Sequence, residues 1–126
     1  MNRAPIINNI KTMTAFNELL HHNPGMIILK FGAEWCGPCK MIESHVYQWF
    51  SKIPEGNDVC GLIDVDDNFE IYGFLKNKRV LRGIPVMLCY YQGNEHYIPD
   101  DMTTGANIGT IDEFFERCLE QLDEYK

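Results

Sequence analysis

Two cysteines, Cys36 and Cys39, lie in the stretch Trp35-Cys36-Gly37-Pro38-Cys39-Lys40. Cysteines separated by two residues can close a small disulfide ring or remain a dithiol, so the pair can store two electrons reversibly. The same spacing also occurs in zinc sites, in iron–sulfur ligand pairs and in structural disulfides. The segments on either side must decide between these possibilities.

An apolar run at residues 26–31 precedes the pair and is typical of a strand buried on both faces. The residues after the pair predict one helix from residue 36 to about residue 52, in which Pro38 is tolerated because first-turn N–H groups lack intrahelical partners. At about 100° per residue, Cys39 falls on the apolar face of this helix and Cys36 on the edge of that face. The pattern therefore predicts an exposed Cys36 sulfur and an inward Cys39 sulfur. The remaining apolar positions are Ile42, Val46, Trp49 and Phe50.

The rest of the chain predicts further short elements. Strands are expected at residues 5–7, 59–65, 84–91 and 95–98, with a turn at 54–57 and a hairpin turn at Gln92-Gly93-Asn94. Thr12 or Thr14 caps a first helix, and one of residues 66–68 caps a short helix. Residues 99–109 are interpreted as a polar connection, and Thr110-x-x-Glu113 as a capping box that opens the last helix.

The order of these elements predicts an α/β fold. Strands and helices alternate in the first half, which indicates parallel strands joined by right-handed crossovers, and the second half adds an antiparallel hairpin. We expect a central mixed β-sheet flanked by helices on both faces, formed by residues 1–126 as a single domain. The cysteine pair then lies at the carboxyl end of a central strand, where open α/β sheets place their chemistry.

That position predicts thiol–disulfide exchange. A thiolate at Cys36 faces the unpaired N–H groups of the helix N-terminus, so its pKa is expected to be lowered. Cys36 attacks a partner disulfide and forms a mixed disulfide, which Cys39 resolves as the Cys36–Cys39 ring closes.

No metal site is predicted, because the pair has no companion ligands at a suitable spacing. The other three cysteines stand singly in apolar elements, where a free thiol behaves as a small hydrophobic group. The four histidines have no ligand spacing to the pair, and His45 is placed on the polar side of its helix. The aspartates of residues 64–67 and 100–101 are interpreted as caps and loop residues. The three single cysteines are Cys60, Cys89 and Cys118.

The net charge of −7 and the isoelectric point of about 4.9 argue against nucleic acid or an anionic membrane as a partner. One short basic run between Lys76 and Arg82 is interpreted as a solvated loop. The first eleven residues lack the apolar core of a signal peptide. Together with the odd number of cysteines, these observations predict a reducing, cytoplasmic location.

The run from Phe31 to Ile42, Phe-Gly-Ala-Glu-Trp-Cys-Gly-Pro-Cys-Lys-Met-Ile, followed by Arg82-Gly83-Ile84-Pro85, resembles the thioredoxin family. With Asp66 and Gly105 as further landmarks, the resemblance extends from about residue 4 to 122. It implies the thioredoxin fold and a protein-disulfide oxidoreductase that reduces protein disulfides. An oxidase or isomerase, or a binding module with an incidental dithiol, are the alternatives.

The resemblance also implies the roles of individual residues. Cys36 is the attacking cysteine and Cys39 the resolving one, with Trp35, Gly37 and Pro38 completing the motif. A cis peptide bond precedes Pro85, which packs against the pair, and partner proteins dock on Trp35, Ile84 and Gly105. No cofactor is implied beyond the redox-active disulfide; the implied partners are protein disulfide substrates and a thioredoxin-reductase-like electron donor, and the chain is expected to be a monomer.

Four positions depart from the family pattern. Lys30 stands where the family has a buried aspartate, Gly32 replaces an aromatic residue, Ser44 replaces the proline that kinks the active-site helix, and Leu62 replaces a lysine. Lys30 either reaches solvent along its apolar stem or stabilises the thiolate form of the dithiol by its charge. We hypothesise the second, which makes the dithiol more oxidising.

Overall fold

The computed structural model describes residues 6–54, 56 and 58–124. Helices and strands follow one another as the sequence predicts, with three exceptions described below. In chain order they are β1 Ile6–Ile7, α1 Met13–His21, β2 Met26–Gly32, α2 Gly37–Met41, α3 Glu43–Ser51, β3 Asp58–Asp64, α4 Phe69–Asn77, β4 Val86–Tyr91, β5 Asp101–Thr104 and α5 Ile108–Glu124. Pro5 of the predicted first strand, and Glu55 and Asn57 of the predicted turn, lie outside the described residues.

Within the described residues, five strands form one mixed sheet in the order β1-β3-β2-β4-β5. The pairs β1–β3 and β3–β2 are parallel, whereas β2–β4 and β4–β5 are antiparallel. This arrangement confirms the predicted mixed sheet. β2 lies at its centre and all seven of its residues are buried, as a continuous apolar run indicates.

Helices cover both faces of the sheet because successive residues of β2 point to opposite sides. Ile27, Leu29 and Phe31 join a cluster with α1 and α4, whereas Met26 and Ile28 join a second cluster with α3 and α5. The helical residues of the first cluster include Phe16, Leu20, Ile71 and Leu75, and those of the second include Val46, Phe50, Phe114 and Phe115.

The helix predicted from residue 36 to 52 is two helices. α2 ends at Met41 and α3 begins at Glu43, because Ile42 has φ −101° and ψ 0°, outside the helical range. Ser44 occupies the position of the family's kinking proline, so the break occurs without one. The break also moves the packing from one face to the other: Cys39 belongs to the first cluster and Ile42 to the second. The prediction that they share one apolar face is therefore wrong.

The last strand is not at residues 95–98 but at Asp101–Thr104, inside the segment interpreted as a polar connection. The connection from β4 to β5 is longer than the predicted hairpin turn, and hydrogen bonds to β4 hold it in place. The Tyr90 hydroxyl donates to the Tyr97 carbonyl at 2.6 Å, and Asp100 Oδ2 accepts from the Tyr91 N–H at 2.7 Å. β5 lies at the sheet edge with one fully buried side chain, Thr103, so its sequence lacks an apolar signal.

α5 begins before the predicted capping box. Asn107 caps it: its Oδ1 accepts from the Thr110 N–H at 3.0 Å and its carbonyl from the Ile111 N–H at 3.0 Å. Thr110 is therefore in the first turn rather than at the cap. Thr12, by contrast, caps α1 as predicted, accepting from the Ala15 N–H at 3.0 Å.

Asp112 fastens α3 to α5. Its Oδ1 lies 2.6 Å from His45 Nε2 and accepts from the Trp49 indole N–H at 2.8 Å. These bonds, with Trp49 first, lower the pKa of Asp112. Trp49 also stacks on Phe115 with ring centroids 5.2 Å apart. His45 is thus an interhelical contact and not simply a residue on the polar side, as the sequence had indicated.

Cys60, Cys89 and Cys118 are free and buried, which confirms the prediction that they behave as core residues. Burial raises the pKa of Cys60 to about 12. A hydrogen bond with the Cys118 side chain, together with burial, raises the pKa of Cys89 well above its ordinary value. Both thiols are therefore held in the protonated, unreactive form at neutral pH.

Among the described residues, no helix is both long enough and apolar enough to cross a membrane.

Asn68 connects three parts of the chain and gives a test of the fold. Its Oδ1 accepts from the buried Ile10 N–H at 2.7 Å, and its Nδ2 donates to the carbonyls of Asp64 and Asn8. We expect Asn68→Ala to lower the free energy of unfolding by about 1–3 kcal/mol, because the Ile10 N–H loses its acceptor. Urea unfolding measures this loss.

The matched control is Asn9→Ala, which removes an exposed amide bonded to Asn8. We expect it to change the free energy of unfolding by less than about 0.5 kcal/mol. Equal losses in the two variants would contradict a structural role for Asn68.

Candidate active site

The disulfide between Cys36 and Cys39 lies just beyond the carboxyl end of β2, with its Cα atoms 5.3 Å apart. A turn closes the gap, since the Cys36 N–H donates to the Ala33 carbonyl at 3.2 Å. Cys36 is the N-cap of α2, and its Sγ accepts from the Cys39 N–H at 3.2 Å. A donor at that distance favours a thiolate on Cys36 when the disulfide opens.

The two cysteines are equally buried in the disulfide form. Cys36 is 5% exposed and Cys39 is 3% exposed, and both belong to the first cluster. The prediction of an inward Cys39 is confirmed, whereas the prediction of an exposed Cys36 is wrong for the disulfide form, because Cys36 packs in the same buried cluster as Cys39. Their difference is one of position: Cys36 caps α2 and Cys39 lies within it.

The structure brings Ile84, Pro85 and Gly105 to the same end of the sheet. The Ile84–Pro85 peptide bond is cis, as predicted, and the Pro85 carbonyl accepts from the Gly105 N–H at 2.8 Å. Phe31 pairs with Val86, so Pro85 lies at the level of Gly32, close to where the chain leaves β2 for the cysteines. Gly105 has φ +98°, a conformation that glycine adopts without strain.

Trp35 is 69% exposed, but its ring is held in place. The indole N–H donates to Asp66 Oδ2 at 2.8 Å. The sequence had suggested Asp66 as a landmark and as a cap; it does not indicate the contact with Trp35, because 31 positions separate the two.

Lys30 is buried, with 6% of its surface exposed. Its Nζ lies 3.5 Å from the Cys39 carbonyl oxygen, so the side chain does not extend into solvent as a snorkelling lysine would. Burial lowers the pKa of Lys30, Glu43 raises it, and Lys40 lowers it again. The amine of Lys30 therefore lies directly behind the cysteine pair.

A cleft of about 230 Å³ opens beside Lys30 and Cys39. Gly32 forms part of its wall: a Cβ at that position would lie 3.4 Å from Cys39 Sγ and 3.8 Å from Lys30 Nζ. Because Gly32 has no side chain, no atom of residue 32 fills the space next to Cys39 Sγ and Lys30 Nζ. Leu62 and Glu43 also line the cleft, and the only sequence signal for Glu43 is its position four residues after Cys39.

Within the described residues, no group of three or more His, Cys, Asp or Glu side chains is arranged to hold a metal ion. The chemistry that the arrangement offers is the opening and closing of the Cys36–Cys39 bond, a two-electron exchange.

Comparisons with known proteins agree with this geometry. The sequence matches the family model for thioredoxin over residues 8–116. A thioredoxin of Coprinus comatus is 29% identical over 115 residues, which cover 90% of this chain and 99% of the relative. Thioredoxin-1 of Saccharomyces cerevisiae is 26% identical over 90 residues, covering 71% of this chain and 81% of the relative.

Among solved structures, a Plasmodium falciparum thioredoxin superposes with a TM-score of 0.68 at 23% identity. The superposition covers 93% of this chain and 89% of that one. It confirms the fold class expected from the sequence.

The position of Lys30 gives a prediction about redox tuning. An ammonium favours thiolates over the disulfide, so we expect Lys30→Asp to make the reduction potential more negative by about 30 mV or more, equivalent to ~1.4 kcal/mol. Equilibration with glutathione measures the potential.

Lys30→Met is the matched control, because it keeps an unbranched chain of similar length and removes only the charge. We expect its potential to fall between those of the wild type and Lys30→Asp. An unchanged or less negative potential in Lys30→Asp would show that the ammonium does not stabilise the dithiol.

Proposed function

The chain belongs to the thioredoxin family, and from that premise we propose that it reduces disulfide bonds in other proteins in a cytosol-like compartment. Dithiol–disulfide exchange is the activity of the family, and this chain carries it out as a protein-disulfide oxidoreductase. The observation that supports the proposal best is the Cys36–Cys39 disulfide at the end of β2, with Cys36 capping α2.

In the proposed reaction the Cys36 thiolate attacks one sulfur of a substrate disulfide. The substrate S–S bond breaks, its electron pair leaves on the other sulfur, and that sulfur takes a proton. The Cys39 thiolate then attacks Cys36 Sγ, and the second substrate sulfur leaves and is protonated. The substrate gains two electrons and two protons, and the dithiol becomes the disulfide. An upstream reductase of the thioredoxin-reductase class supplies two electrons and two protons to reopen it.

Substrate proteins are proposed to dock on Trp35, Ile84 and Gly105. Trp35 offers an exposed ring oriented by Asp66, and Gly105 is bonded to Pro85. The proposal includes a monomeric chain that needs no bound cofactor and interacts with neither nucleic acid nor membrane, in keeping with the net charge of −7.

The opposite direction, disulfide formation or isomerisation, is the second candidate, and the buried Lys30 behind Cys39 favours it. The reduction potential separates the two directions. A value near about −270 mV is expected for a reductant, whereas a value near about −180 mV or above is that of an isomerase or oxidase and would contradict the reducing role.

Insulin reduction with dithiothreitol tests the enzymatic activity. We expect the wild-type chain to accelerate precipitation of the insulin chains and Cys36→Ser to abolish the acceleration, because the attacking sulfur is lost. Cys118→Ala is the control: it removes a buried thiol outside the motif and should retain activity. Equal activity in wild type and Cys36→Ser would favour a binding module with an incidental dithiol.

Cys39→Ser is expected to accumulate mixed disulfides with its partners, because the resolving thiolate is absent. Non-reducing gels followed by mass spectrometry identify the trapped proteins. The double variant Cys36→Ser/Cys39→Ser controls for contaminants. If the double variant traps the same proteins as the single variant, the adducts do not form through Cys36 and the assigned roles are wrong.

A further inference from the structure

Several charged side chains line the cleft beside the cysteine pair, and the disulfide exchange described above does not involve them. Lys30 and Cys39 line this cleft, and so does Glu43 in the first turn of α3. The charged and titratable groups that line the cleft together with Lys30 come from several segments: Glu34 from the loop after β2, Cys39 and Lys40 from α2, Glu43 and Tyr47 from α3, and Asp64 from β3. The adjacent residue of β4 is the apolar Met87.

A buried ammonium needs a counter-charge, since burial disfavours the charged form. Two of the three carboxylates in the cleft are engaged elsewhere. Glu34 is paired with Lys40 at 3.0 Å. Asp64 Oδ1 accepts the N–H groups of Asp66 and Asp67 in the turn after β3. Glu43 is the carboxylate left to offset Lys30, and it is the group whose charge raises the pKa of Lys30.

The backbone of Glu43 is held by the packing of its helix, although its side chain is exposed. It belongs to α3, which Asp112 fastens to α5 through His45 and Trp49. It also stands one residue after the break at Ile42, so α3 rather than α2 sets its direction toward the cleft.

We propose that Glu43 is a positioning residue for the disulfide exchange. Its carboxylate holds Lys30 as an ammonium across the cleft, and that ammonium stabilises the Cys39 thiolate. Lys30 Nζ lies 3.5 Å from the Cys39 carbonyl oxygen, and Nζ and Cys39 Sγ both lie within 3.8 Å of the point where a Cβ on Gly32 would be, so the amine and the sulfur border the same space. The inference rests on the proposed function and names a residue that sets the rate of its second step.

In that step the Cys39 thiol loses its proton to water through the open side of the cleft. The thiolate attacks Cys36 Sγ, the bond between Cys36 and the substrate sulfur breaks, and its electron pair leaves on the substrate sulfur, which is protonated. Lys30 and Glu43 keep their charges throughout. They act by lowering the free energy of the Cys39 thiolate, so neither exchanges an electron or forms a bond.

The direction of the change in the Cys39 pKa distinguishes an action of Glu43 through Lys30 from a direct electrostatic effect of Glu43 on Cys39. Acting directly on Cys39, the Glu43 carboxylate repels the thiolate, so its removal should lower the pKa of Cys39. Acting through Lys30, it maintains the ammonium, so its removal should raise the pKa of Cys39. The two routes predict opposite shifts in one variant.

The test measures the pKa of Cys39 in a Cys36→Ser background, from the pH dependence of carboxymethylation located by peptide mass spectrometry. This readout follows Cys39 without interference from the other thiols. We expect Glu43→Gln to raise that pKa by roughly one unit, the lower end of what a nearby opposite charge supplies. The expected cost is about a tenfold loss of Cys39 thiolate at neutral pH.

In a Lys30→Met background the same Glu43→Gln change should lower the pKa of Cys39 or leave it in place, because only the direct repulsion remains. Glu120→Gln, an exposed change on α5 outside the cleft, is the matched control and should have no effect. A lowered or unchanged pKa in Glu43→Gln with Lys30 present would overturn the proposal, as would the same rise with and without Lys30.

The result is separable from the proposed function, because carboxymethylation needs no partner protein. If insulin reduction fails while the Cys39 pKa shifts as expected, the proposed substrate class is wrong and the role of Glu43 stands. If insulin is reduced and the shift has the opposite sign, the proposed function stands and the role of Glu43 is wrong.

Discussion

β2 hydrogen-bonds to β3 on one side and to β4 on the other, and its seven residues are buried. Its carboxyl end therefore has a rigid position, and the turn from Ala33 to Cys36 is short enough to transfer that position to the disulfide. The pairing with β4 also brings Pro85 to the level of Gly32, and β5 adds Gly105 beside it. The site is thus assembled at one end of the sheet by strand register.

One departure from the family pattern, Lys30, lies in this buried strand. A lysine in the middle of β2 cannot extend to solvent, so Lys30 is held with its Nζ near Cys39. Gly32 adds no side chain to the cleft that Lys30 and Glu43 also line. In the role proposed for Glu43, the electrostatic surroundings of Cys39 depend on a cation in the strand and a carboxylate on α3. The front of the site keeps the family arrangement of Trp35, the disulfide and cis-Pro85.

Strong local patterns predicted most of the fold. The apolar run of β2, the cap at Thr12 and the motif at Cys36 agree with the structure because each depends on residues adjacent in sequence. The errors occurred where a distant contact decides. β5 lies beyond the predicted hairpin because Asp100 and Tyr97 hold the connection through bonds to β4. The break at Ile42 follows a change of packing from one face of the sheet to the other, which a helical wheel does not contain.

The sequence by itself determined the reactive pair, the family and the presence of an unusual lysine behind the pair, because these depend on residue identity and short spacing. Only the tertiary structure decided that both cysteines are equally buried, that Asp66 holds Trp35 and that Glu43 shares a cleft with Lys30. These relations join a strand, a loop and two helices that meet only when the sheet forms, and their energies depend on distance and burial rather than on order along the chain.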